Sequence, residues 1–105
     1  PYCSRVCCMY TAKQARLIKE RHPDLKIRIC YMDMRTFCRG CEEFYNDIQR
    51  LKLLYTRGMV SEIFPKGGTP VVRFEDTSLG EMVEEPADWV VLAVGMEPPE
   101  GTEAL

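Results

Sequence analysis

Three cysteines, Cys3, Cys7 and Cys8, stand where a segment of helical period begins, and the other three, Cys30, Cys38 and Cys41, all precede residue 42. That distribution constrains the fold more than any other feature. Thiols confined to the first part of a chain cannot staple a second part that has none, so a secreted disulfide framework is a poor match. Adjacent Cys7 and Cys8 fit a metal or redox site in a reducing compartment better. A thiolate at a helix start is favoured by unsatisfied backbone N–H groups and by the helix dipole. Cys3 and Cys7 lie about one helical turn apart, while Cys8 is rotated by about 100° from Cys7. This spread suits a cubane iron–sulfur cluster better than the single point of a tetrahedral zinc ion, and either centre takes four ligands where the trio offers three.

Cys38 and Cys41 in TFCRGC form a C-x-x-C pair. Its spacing is compatible with a zinc half-site, a redox dithiol or cluster ligands, and does not separate them. The order strand, C-x-x-C, helix is that of thioredoxin-like proteins, but no other feature is. Cys30, inside a strand-like segment, reads as a packed core thiol.

At 105 residues the chain is large enough for one core and no more. Fourteen basic against 16 acidic residues leave a net charge of -2, with no electrostatic footprint for nucleic acid or an anionic membrane. No apolar run approaches the roughly 20 residues of a membrane span, and no signal-peptide pattern opens the chain. The expectation is a soluble, cytoplasmic protein. It starts at Pro1 almost directly in a helix and ends in EPPEGTEAL, which reads as a single domain, 1–105, cut from a longer polypeptide.

Hydrophobic periodicity predicts a helix over 4–20, with Ser4 as N-cap and Pro23 as the stop. A strand is expected over 25–32 and a second helix over 40–51, where Phe44, Tyr45, Ile48 and Leu51 share a face. LLYTRG reads as a short strand, and 59–85 as an antiparallel meander punctuated by PKGG and TSLG. DWVVLAVG is a continuous apolar run ended by glycine, which predicts a buried parallel strand over 89–94. Helices alternating with strands make this an α/β chain with right-handed crossovers.

The stretches PYCSRVCCMYTAKQARLIKERHPDLKIRICYMDMRTF, EEFYNDIQ and DWVVLAVGMEP together resemble the flavoprotein A subunit of heterodisulfide reductase and related quinone-modifying oxidoreductase subunits. The most specific element is C-S-R-V-C-C, a helix, and then Y-M-D-M-R. The resemblance implies an iron–sulfur flavoprotein with a thioredoxin-reductase-like core of two dinucleotide-binding modules. This chain would be a Rossmann-like three-layer α/β fragment, equivalent to the NAD(P) module, carrying an antiparallel β-meander. It further implies that Cys3, Cys7 and Cys8 ligate a [4Fe–4S] cluster together with a cysteine upstream of Pro1, and that the cluster relays electrons to or from FAD. FAD would be bound mainly outside this chain, with weak contact at Gly95, Met96 and Pro98. Expected partners are other subunits of a heterodisulfide reductase-like, hydrogenase-linked or quinone-linked complex, some of which would hold the protein at the inner face of a membrane. Cys38 and Cys41 depart from the family pattern.

Cysteines thus stand where a Rossmann module has its glycine loop, so nicotinamide binding is not expected and Asp33, at the position of the ribose-binding acid, reads as structural. His22 reads as a solvated residue at a helix C-terminus, and Glu42 and Glu43 as first-turn acids. Arg5 reads equally as a surface residue or as a charge that tunes the cluster. The six methionines read as core filling. No hydrolase triad or paired-carboxylate arrangement stands out, so the isolated chain is expected to be inactive. Two alternatives stay open: a structural zinc or interaction module, and a dithiol redox domain using Cys38 and Cys41. Strands near Ile27 and Val91 without the neighbour between them would also favour strand exchange or dimer formation.

Overall fold

The structure, a computed structural model, describes residues 6–34, 43, 46, 50–96 and 98–102. Helix α1 spans Cys7–Arg21. Ala12 and Ala15 give its buried face a smooth surface, and Arg16 pairs with Glu20 one turn on, at 2.9 Å. Lys19 and Arg21 in the last turn complement the carboxyl end of the dipole. Pro23 disfavours helical geometry at His22, which becomes the C-cap and donates its N–H to Ile18 O at 2.8 Å. The helix begins later than the sequence predicts, at an N-cap Val6 that makes no side-chain cap; Ser4 lies outside the described residues.

Strand β1 (Arg28–Tyr31) is shorter than the expected 25–32 and pairs in parallel with β2 (Leu54–Arg57). Ile27 and Ile29 pack with Leu53 against Ala12 and Ala15, so α1 covers one face of the pair. Tyr31 and Tyr55 meet edge to face on neighbouring strands at 6.1 Å. Of the helix expected over 40–51, only Glu43 and Asn46 are described before the turn at 50–52, and both are helical.

The meander forms as expected: β3 (Val60–Lys66), β4 (Thr69–Asp76) and β5 (Glu81–Pro86) pair antiparallel in that order. Gly67 and Gly68, both at positive φ, make the two-residue turn between β3 and β4. In the next turn the Asp76 carboxylate accepts from Ser78 N–H at 2.9 Å, and Gly80 turns the chain back at φ 66°. Val71 and Phe74 are the buried apolar residues of this sheet.

Arg28 joins the two sheets. Its guanidinium pairs with Glu85 of β5 at 3.0 Å, donates to the buried Thr56 hydroxyl of β2, and lies 5.5 Å from the centre of the Phe74 ring.

The strand expected over 89–94 does not form. Residues 89–94 pair with no strand among the described residues, and Trp89, Val91 and Val94 are 89%, 76% and 83% exposed. A continuous apolar run is a strand only where a sheet flanks its edges and covers its faces. Here the parallel sheet holds two strands, and the Rossmann-like strand order that the sequence suggests is not reproduced among the described residues.

Candidate metal centre

α1 runs antiparallel to β1, so its amino end lies by the carboxyl end of that strand. The Cys8 thiol makes a long contact of 3.9 Å with the backbone carbonyl of Asp33, two residues beyond β1. Ligands of open parallel sheets bind outside this end of the strands. Cys7 is the first helical residue and Cys8 the second, and both are half-buried. Met9 and Tyr10 N–H both bond to Val6 O, at 3.1 and 3.0 Å, and so close the first turn of the helix. No acidic residue stands in the first turn to compete for the positive end of the dipole. Chemically, this is a pair of adjacent soft sulfur donors at a helix start.

The strand end beside the pair has its own support. Arg57 Nε donates to Met32 O at 3.3 Å, and Gly58 N–H donates to Tyr31 O at 2.8 Å. Met32, Arg57, Gly58, Met59, Glu75 and Thr77 line an open hollow at this end. Asp33 is exposed.

Not every expected site residue joins this centre. Cys3, Cys38 and Cys41 lie outside the described residues, as do Arg5 and Glu42. Among the described residues no three His, Cys, Asp or Glu side chains gather closely enough to hold a metal ion. Cys30 lies on the opposite face of β1 from α1, beside Arg28, and is half-buried. Burial pushes its thiol pKa up, Arg28 pulls it down, and Glu85 and Asp76 add to the rise. Gly95 has φ 89°, a conformation that favours glycine, while Met96 and Pro98 beside it are exposed. His22 is exposed at the helix end, as expected. The part played by Arg57 had no signal in the sequence, because its bond to Met32 O joins residues 25 apart.

Fold and site define the class coarsely: an α/β unit with soft thiol donors at the carboxyl end of a parallel strand pair. Sequence comparison is more specific. No protein-family model matches the chain, but curated relatives match along its whole length. It is 50% identical over 107 residues to the A subunit of the H2:CoB–CoM heterodisulfide,ferredoxin reductase of Methanothermobacter thermautotrophicus, covering 100% of this chain and 16% of that protein. It is 45% identical over 108 residues to the second iron-sulfur A subunit of the CoB–CoM heterodisulfide reductase of Methanopyrus kandleri, with the same two coverages. It is 42% identical over 105 residues to the A subunit of the ferredoxin/F420H2-dependent CoB–CoM heterodisulfide reductase of Methanosarcina acetivorans, covering 99% of this chain and 13% of that one. The chain therefore belongs to the A-subunit family of heterodisulfide reductases. It spans about one sixth of the length of the first two of these relatives. Among the described residues no helix is long and apolar enough to cross a membrane.

Proposed function

We propose that the chain is the thiolate-bearing, Rossmann-like segment of an electron-transfer subunit in a heterodisulfide reductase-like complex. In this reading Cys3, Cys7 and Cys8 supply three ligands to a [4Fe–4S] cluster. The observation that carries it is the position of Cys7 and Cys8, adjacent at the amino end of α1, with the Cys8 thiol against the backbone just past β1. The donor chemistry suits the group: two soft, half-buried thiols in neighbouring rotational positions match the spread ligand sites of a cluster. The name of the Methanopyrus relative, an iron-sulfur subunit, points the same way.

When bound, such a cluster supplies one-electron transfer. The chain's own residues hold thiolates and shape their surroundings. Cys7 and Cys8 stand in the first turn of α1, where no acidic side chain competes for the helix start. The strand end at Met32 and Asp33, held by Arg57, packs beside Cys8. The same reading assigns the turn at Gly95, Met96 and Pro98 to the FAD side of the longer polypeptide.

Iron, acid-labile sulfide and zinc contents after anaerobic reconstitution test this, with a Cys7→Ser variant alongside. Iron and sulfide in near-equal amounts, lost in the variant, are expected. Zinc without sulfide would replace the cluster with a structural metal site, and the absence of all three would remove the metal centre altogether.

A further inference from the structure

Strand ends fray unless something ties them down, and the end of β2 at Arg57 is tied from three sides. Its register sets it opposite Tyr31, and the next residue, Gly58, donates its N–H to Tyr31 O at 2.8 Å. From the meander, Thr77 N–H and the Thr77 hydroxyl both donate to Arg57 O, at 3.0 and 2.8 Å. Gly58 also passes so near Glu75 that a Cβ would lie 1.5 Å from the Glu75 carbonyl oxygen, and Glu75 N–H donates to Met59 O at 3.1 Å. The parallel pair and the meander therefore meet at Arg57, and its backbone has little room to shift.

The side chain uses this fixed base to reach across to β1. Arg57 Nε donates to Met32 O at 3.3 Å, between residues 25 apart in sequence. Met32 is the first residue past β1, and the next, Asp33, presents the carbonyl that the Cys8 thiol contacts at 3.9 Å. One peptide link thus separates the carbonyl held by the guanidinium from the carbonyl that meets the sulfur. Arginine suits this place because its planar group can hold a carbonyl through one N–H while its charge, spread over all three nitrogens, persists at any working pH. A lysine could supply the charge but not the fixed geometry of the donor.

We propose that Arg57 is a positioning residue for the cluster, an assignment that rests on ligation by Cys3, Cys7 and Cys8. Anchored by Thr77 and bound to the Met32 carbonyl, it holds the backbone against Cys8 and keeps a positive charge on that side of the site, which raises the reduction potential. Reduction adds one electron, and so one unit of negative charge, to the cluster, and a fixed cation nearby favours the reduced form.

The test compares wild type, Arg57→Met and Arg57→Lys by redox titration with electron paramagnetic resonance on the anaerobically reconstituted protein, and by residue-resolved amide exchange on the metal-free chain. Arg57→Met keeps an apolar stem and removes both donor and charge, while Arg57→Lys restores the charge. Iron and sulfide contents equal to wild type are expected in both variants. At the wild-type midpoint potential, the ratio of reduced to oxidised cluster should fall at least about threefold in Arg57→Met, about 28 mV for a one-electron couple, and Arg57→Lys should recover most of that loss. The Gly58 amide, bonded to Tyr31 O, should exchange at least about tenfold faster in Arg57→Met. Retained protection of the Phe74 amide, in the central strand of the meander, shows that the variant is folded. An unchanged potential, an unchanged Gly58 amide or a lysine variant no closer to wild type than the methionine variant overturns the role of Arg57 and leaves the cluster in place. A cluster lost from either variant would make Arg57 a structural requirement and overturns it equally. Wild-type protein that assembles no iron and sulfide overturns the cluster ligation itself, and this assignment with it.

Discussion

Cys30 sits in β1, partly buried, and burial is the largest influence on its thiol. Arg28, two residues away on the same face, offsets part of the rise, while Glu85 and Asp76 reinforce it. A thiol whose pKa is raised by folding is neutral in both states below its ordinary range, so folding loses nothing there. As pH climbs through the ordinary thiol range and beyond, the unfolded chain ionises first and stability falls. The urea midpoint is therefore expected to be insensitive to Cys30 up to about pH 8 and to decline above about pH 9. Cys30→Ala should flatten part of that alkaline decline relative to wild type. A decline identical in the two proteins would show that Cys30 does not contribute. Cys7 and Cys8 differ from Cys30 in place rather than in type: they open a helix, whereas Cys30 lies within a sheet.

At the scale of elements, the junction between β2 and β3 depends on one glycine. A Cβ on Gly58 would lie 1.5 Å from the carbonyl oxygen of Glu75, a backbone atom that cannot rotate away. The close approach lets Glu75 N–H reach Met59 O at 3.1 Å and stitches β4 to the exit of the parallel pair. Gly58→Ala is expected to cost more than about 3 kcal/mol, the range of severe backbone and overpacking defects. Gly67→Ala is the contrasting case, since nothing lies within 4 Å of its Cβ and only its φ of 61° opposes a side chain; it should cost about 1–2 kcal/mol. Urea titration of both variants distinguishes the two. The meander was legible in the sequence because PKGG and TSLG are local turn signals that act within a few residues. The start of α1 was less so, because Val6 caps with its carbonyl rather than with a side chain. The run 89–94 misled for a physical reason: its composition specifies what it needs around it, and the neighbours it needs are supplied or withheld by the rest of the fold.

For the molecule as a whole, the parallel pair under α1 and the meander are two small sheets, each with few buried residues. Arg28 holds them together through Glu85, Thr56 and Phe74. The pair keeps about a quarter of each side chain exposed, 24% and 26%, so solvent screens it and the loss on breaking it falls below that of a fully buried pair. Arg28→Ala is expected to cost about 2 kcal/mol, including the Thr56 hydroxyl it leaves unpaired. It should also uncouple the halves, so that amides of the meander and of the parallel pair exchange with different opening free energies. A single cooperative transition retained in the variant would show that the apolar contacts suffice to couple them. The helix, the meander with its turns, the family and the adjacent thiols at a helix start are all written in the amino-acid order, because periodicity, turn chemistry and motif spacing act over short stretches of chain. Packing settled the rest: that Arg28 bridges two sheets, that Gly58 must be glycine, that Arg57 braces the strand end beside Cys8, and that the apolar run stands open. Each of these joins residues distant in sequence, or depends on neighbours that are, and such contacts exist only once the chain has chosen its packing.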